Sequence, residues 1–221
     1  MSIPVVAIDG PSASGKGTVA SQVARRLGFH YLESGALYRL VALVSLRNET
    51  LDEARLAKIA SSLDAEFLGE RILLEKHDVT EEMRSEACSN QASLVAPLAK
   101  VRSALLDRQR SFRRPPGLVA DGRDMGTIVF PDAALKIFLT ASPAVRAERR
   151  YKQLIDKGFH ANLRTLSRDL EERDARDAAR PVAPLAPAPD ALRLDSSNMT
   201  VGAVVEKILG WCRERNLGGR A

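Results

Sequence analysis

Asp9-Gly10-Pro11-Ser12-Ala13-Ser14-Gly15-Lys16-Gly17-Thr18 is the stretch whose reading decides the fold. Before it runs an apolar segment, Ile3 to Ile8, without polar–apolar alternation, as expected of a strand buried on both faces. After it comes Val19-Ala20-Ser21-Gln22-Val23-Ala24, apolar at helical spacing. Strand, glycine-bounded loop and helix start are the context a phosphate-binding loop needs. Gly10 and Gly15 bracket four residues and admit dihedrals that turn backbone N–H groups inward onto phosphate oxygens. The following helix adds its positive N-terminal end.

The loop predicts a bound nucleoside triphosphate, with Gly10, Pro11, Ser12, Ala13, Ser14, Gly15, Lys16, Gly17 and Thr18 around its phosphates. Lys16 supplies a mobile positive charge for the outer phosphates and Thr18 a hydroxyl near a magnesium ion. The usual pattern places Ser or Thr directly after the lysine. Here Gly17 stands there and Thr18 one place later, which leaves open direct or water-mediated reach to Mg²⁺. A Gly/Ser-rich turn between a strand and a helix is the bland alternative, but here strand, both glycines, lysine and helix all fall in place for a phosphate loop.

The remaining totals narrow the class. A chain of 221 residues holds one medium domain or two small ones and can bury a sizeable core. Apolar residues at 45% and charged residues at 28% fit a soluble globular protein, and no apolar run approaches a membrane span. Aromatics at 5% argue against a broad base-stacking surface. Cys88 and Cys212 are isolated, so neither a zinc site nor a disulfide framework is expected. With no basic segment ahead of an apolar core at the N-terminus, a cytoplasmic location is expected. Net charge is +5, and 25 of the 33 basic residues are Arg, the side chain suited to two-point gripping of phosphate. A solvated basic surface would give the same charge.

Periodicity along the chain predicts helices over 16–27, stopping at Gly28, then 36–47, 52–62, 81–95, 98–112, 143–157, 162–178 and 200–216. Core strands are expected at 3–8, 29–32, 118–120, 135–140 and 191–195, and three short segments between 64 and 80 read as a small antiparallel insert. Pro181, Pro184, Pro187 and Pro189 mark a stiff connector, and Trp211 is expected to pack in the core. Alternating strands and helices give an α/β fold with a parallel five-stranded sheet whose ligands lie beyond the carboxyl ends of its strands. Asp9-Gly10, Glu33-Ser34-Gly35 and Asp121-Gly122-Arg123 are those ends.

Individual residues leave choices open. Arg39 could hold the anionic end of a second substrate or stand as an exposed helix arginine. Asp121 sits where phosphate-loop proteins hold a magnesium-bound water, with Arg123 beside it, although a charged tight turn has the same letters. Arg173, Asp177 and Arg180, at i, i+4 and i+7, share a helical face that serves a site or an exposed ion-pair ladder. Arg146, Arg149 and Arg150 pose the same choice, and His30, His77 and His160 read as structural.

Asp9–Thr18, Ser34-Gly-Ala-Leu-Tyr-Arg39, Asp121-Gly-Arg-Asp-Met-Gly126, Thr127–Asp132, Glu172-Arg-Asp-Ala-Arg-Asp177 and Val182-Ala-Pro-Leu185 together resemble bacterial cytidylate kinases. The resemblance implies transfer of the ATP γ-phosphoryl group to CMP or dCMP, with Mg²⁺ as cofactor. It implies a core over about 1–35, 98–142 and 181–221, a monophosphate-binding region over 36–97 with its antiparallel insert at 64–80, and a helical lid over 143–180. Carried over by position, Arg39, Arg123, Arg173 and Arg180 are phosphate holders and Asp177 is the sugar-hydroxyl partner. Ser93, Arg102 and Asp124 are the cytosine readers, and Ser34 lines the same pocket. Lys16, Arg123, Arg173 and Arg180 are the expected catalytic charges, and Thr18 and Asp121 the metal-side residues. A monomer acting on small molecules, with no nucleic-acid or membrane partner, is expected. Other readings are a kinase for UMP or shikimate, a GTP-driven switch, and a nucleic-acid-binding ATPase. The switch requires Asn-Lys-x-Asp, and no Asn here is followed by Lys.

Overall fold

In the computed structural model, residues 3–69, 71–156, 158 and 160–218 are described. The chain divides into two compact units, Met1–Leu32 with Phe112–Ala221, and Glu33–Ser111. The first is built on a five-stranded sheet in the order β2-β6-β1-β7-β8. Its strands are β1 (Val5–Asp9), β2 (His30–Glu33), β6 (Leu118–Gly122), β7 (Leu135–Thr140) and β8 (Leu192–Asp195). Registered pairs β1–β6, β1–β7 and β7–β8 are parallel. Central β1 and β6 are buried at every residue, which is why neither alternates polar and apolar. In β7, Leu135, Ile137 and Leu139 are buried and the residues between them only partly so.

Helices α1 (Lys16–Leu27) and α9 (Val201–Glu214) supply Val19, Ala20, Val23, Val204, Ile208 and Leu209 to a core shared with Val6, Ile8, Val119 and Ile137. Trp211 packs, partly buried, against that core as expected. α7 (Pro143–Asp156) packs against α8 (Leu163–Ala178). The expected helix over 143–157 ends with Asp156, and Lys157 lies outside the described residues.

The second unit holds α2 (Ser34–Arg47), α3 (Glu53–Ser61), α5 (Glu86–Val95) and α6 (Ala99–Arg110). It also carries an antiparallel sheet of β3 (Ala65–Leu68), β4 (Arg71–Leu74) and β5 (His77–Asp78). Register pairs Ala65 with Leu74 and Leu73 with Asp78, so the insert expected over 64–80 is present.

Two local expectations are corrected. The single helix over 81–95 is two, α4 (Thr80–Arg84) and α5, because Ser85 adopts an extended conformation at ψ 154 and its hydroxyl caps α5 by accepting from Cys88 N at 3.2 Å. After β6, 125–129 form a π-helical turn that periodicity did not reveal. Among the described residues, no helix is long and apolar enough to cross a membrane.

Candidate active site

β1 ends in Asp9 and the chain turns at once into the loop. A Cβ on Gly10 would lie 2.1 Å from the backbone oxygen of Leu139, so only glycine allows β1 to leave the sheet beside β7. Gly15 closes the loop at φ 86 and caps α1, its carbonyl accepting from Val19 N at 3.0 Å. Between them Ala13 is held at φ 57, a left-handed conformation costing a non-glycine residue about 1–2 kcal/mol. The Ser14 hydroxyl is buried and finds no hydrogen-bond partner among the described residues, an orphaned group in the wall of the loop.

Lys16 is buried, and its Nζ donates to Pro11 O at 3.0 Å. Desolvation, and after it the charge of Arg123, lowers its pKa from 10.5 to about 7 against the opposing pull of Asp121. Asp121, at the end of β6, accepts from the Tyr31 hydroxyl at 2.6 Å. Gly17 faces this pair, since a Cβ there would lie 3.6 Å from the Tyr31 oxygen and 4.0 Å from Asp121 Oδ2. Thr18, one helical step further round, is exposed.

Arg123 joins the loop to the cluster on α8. Its Nη2 donates to Ser12 Oγ at 2.7 Å and its Nε to Asp177 Oδ2 at 2.8 Å. The other oxygen of Asp177 pairs with Arg180. Burial alone would raise the Asp177 pKa, but the charges of Arg123 and Arg180 outweigh it and hold the carboxyl below its ordinary 3.8. The Arg173 charge bears on both Asp177 and Lys16. Thus Ser12, Lys16, Asp121, Arg123, Arg173, Asp177 and Arg180 form one electrostatically linked group. The surface ion-pair ladder is excluded for Asp177, whose side chain is only 1% exposed.

Asp124, also buried, follows Arg123. Its carbonyl accepts from Ile128 N at 2.9 Å and Val129 N at 3.2 Å as the π-helical turn begins. The turn is anchored by Asp9, whose two carboxylate oxygens accept from Met125 N and Gly126 N, each at 2.8 Å. Desolvation raises the Asp9 pKa from 3.8 to about 7, against the pull of those two donors.

In the second unit, Glu33 Oε1 accepts from Arg39 at 2.8 and 2.7 Å, so the α2 arginine is oriented by the last residue of β2. Ser34 is buried and accepts from Gln109 Nε2 at 2.9 Å. Arg102, on α6, lies over the Tyr38 ring at 5.8 Å and donates to Ala96 O at 3.2 Å. The Ser93 hydroxyl on α5 is buried without a partner among the described residues.

The family described as Cytidylate kinase matches residues 6–214. The chain belongs to the cytidylate kinase family. A cytidylate kinase of Ralstonia pickettii is 59% identical over 217 residues, covering 97% of this chain and 94% of that protein. One from Chromobacterium violaceum is 55% identical over 221 residues, with 99% and 100% covered. Among solved structures, an uncharacterized protein from Eubacterium ventriosum aligns with a TM-score of 0.50 at 12% identity, covering 95% of this chain and 98% of that one, a likeness of fold.

Within this cytidylate kinase fold, several site-shaping residues escaped sequence reasoning: Tyr31 on Asp121, Asp9 on the 125–126 backbone, Glu33 on Arg39, and Gln109 on Ser34. Of these, Asp9 and Glu33, carboxylates at expected strand ends, carried a visible signal.

Proposed function

We propose that the protein transfers the γ-phosphoryl group of ATP to CMP, giving ADP and CDP, and accepts dCMP as well. The observation that carries this reading is Arg123, bonded at once to Ser12 in the phosphate loop and to Asp177 in the arginine cluster. ATP lies with its phosphates along 10–18, and Lys16 exchanges Pro11 O for the outer phosphates. Arg39, Arg123, Arg173 and Arg180 are assigned as phosphate holders. Asp124, Ser93 and Arg102 are assigned to the cytosine, Ser34 to the same recognition set, and Asp177 to the sugar hydroxyls. The relatives named cytidylate kinase support CMP as acceptor.

The chemistry needs charge more than proton transfer. A nucleoside monophosphate has its second pKa near 6, so near pH 7 it is mostly a dianion and requires no general base. Two polyanions must meet, and fixed cations must steady charge that shifts during in-line transfer. Arginines of 143–180, acting as a lid, also keep water from the phosphoryl group.

A magnesium ion fits the donor set, provided phosphate oxygens and water fill most of its shell. Among the described residues no group of three or more His, Cys, Asp or Glu could cage a metal, whereas Asp121 offers a buried carboxylate beside the first turn of α1. Asp121 and Thr18 are the residues that would hold the ion's waters, and Mg²⁺ would neutralise phosphate charge. We further infer a cytoplasmic monomer without nucleic-acid or membrane partners. A coupled ADP-release assay with ATP, Mg²⁺ and each common nucleoside monophosphate tests the reading: CMP and dCMP should drive turnover, and preference for any purine acceptor would refute it.

A further inference from the structure

The outer side of the phosphate loop is gripped by two arginines of α7 whose individual bonds a general shielding role does not explain. Arg149, on α7, donates from Nη1 to Ser14 O at 3.2 Å and to Ser196 Oγ at 3.1 Å, and from Nη2 to Ser196 O at 2.7 Å. Ser196 is itself fixed, because its N–H and its hydroxyl both donate to Thr140 O, at 2.8 and 2.9 Å, where β7 ends. Arg149 therefore ties the loop to Ser196, just past β8, and Ser196 in turn is bonded to the end of β7. One turn earlier, Arg146 Nη1 donates both to Ser12 O at 3.2 Å and to Asp174 Oδ2 at 2.5 Å, and its Nε donates to Ala141 O at 3.0 Å.

These bonds decide where the loop's N–H groups point. A trans peptide is planar, with its C=O and the following N–H on opposite sides. Drawing Ser14 O outward to Arg149 sends the Gly15 N–H to the opposite, inner side of the loop. At φ 86 Gly15 permits this orientation without itself demanding it, and Ala13 sits strained nearby at φ 57. A loop under such strain needs an external brace to hold one set of peptide planes.

We propose that Arg149 is a positioning residue for phosphoryl transfer, setting the Ser14–Gly15 peptide so that the Gly15 N–H faces the donor's phosphates. The assignment rests on the reading of 10–18 as the ATP site. It requires the forked shape of guanidinium and not its charge alone, because a lysine ammonium is a point donor that cannot match both Ser14 O and Ser196 O in one plane. Losing one charge-assisted bond of this kind from the ATP-bound state is expected to raise KM for ATP about tenfold.

Arg149→Lys and Arg149→Ala are compared with wild type for kcat, for KM with each substrate, and for thermal unfolding midpoint. Both variants are expected to raise KM for ATP about tenfold, leave KM for CMP within about twofold, and keep the midpoint near wild type. Added guanidinium ion should partly restore the alanine variant. Should alanine fail to fold, the lysine variant carries the test alone. An unchanged KM for ATP in folded Arg149→Lys, or equal rises for both substrates, would overturn the assignment. Wild type that fails to phosphorylate CMP from ATP would overturn the underlying reading instead, so the two failures are distinguishable.

Discussion

Binding of ATP should draw a proton from solution, and Lys16 sets how much. In the ligand-free protein its ammonium is buried, facing Arg123, and titrates at about 7 instead of 10.5. At pH 8, one unit above, about a tenth of the molecules carry the charged form. A triphosphate brought against Nζ restores full protonation, so each ATP bound takes up about 0.9 proton. The sign follows from the depressed value: the binding-competent ammonium is present below pH 7 and lost above it. The dissociation constant should therefore rise roughly eightfold per pH unit around pH 8. Calorimetric titration of ATP at pH 8, in two buffers of contrasting ionisation enthalpy, reads the uptake directly. Lys16→Arg, whose charge persists at every accessible pH, should bind ATP with no uptake. Any uptake surviving in that variant would belong to Asp9, which also titrates at about 7. Wild-type uptake below about 0.2 proton would refute the electrostatic picture of the loop.

Removing the shared carboxylate in Asp177→Ala leaves Arg123 and Arg180 buried against each other and should cost about 3–5 kcal/mol of unfolding free energy, measurable by urea titration. Because the Asp177 carboxyl is held below 3.8, its contribution is present above about pH 4 and lost on further acidification, so wild type and variant should converge in stability there. Gly10→Ala drives a methyl against Leu139 O, and should lower stability by roughly 1–3 kcal/mol while raising KM for ATP; wild-type values of both would contradict the geometry. Asp124→Asn should raise KM for CMP at least about tenfold with KM for ATP nearly unchanged, since a base-reading site rejects a mismatched partner strongly. Equal losses for both substrates would remove Asp124 from base recognition.

What the sequence disclosed was local. Helix α1 runs from Lys16 to Leu27 as expected because both its ends are written in glycines, Gly15 and Gly28, and β7 spans 135–140 because alternation marks it. The break at Ser85 lay inside a pattern apolar enough to read as one helix, although Ser85 followed by Glu86 is itself an N-cap signal. The π-helical turn after Asp124 was illegible because a carboxylate 116 residues away satisfies its first N–H group. The site divides the same way. The loop, Arg123 and the Arg173–Asp177 face were visible as motif and spacing, whereas α8 ends at Ala178 and Arg180 pairs with Asp177 from beyond the helix. The grip of Arg149 on a carbonyl 135 positions distant, and of Tyr31 on Asp121, depends on how strands line up in the finished sheet.

The most direct test follows the phosphoryl group itself. A single turnover with ATP labelled at the γ-phosphate, in the presence of Mg²⁺ and CMP, should deliver the label to the β-position of CDP, and Lys16→Ala should slow that delivery severely. Label recovered as inorganic phosphate or on the protein, or an undiminished rate in Lys16→Ala, would contradict the account.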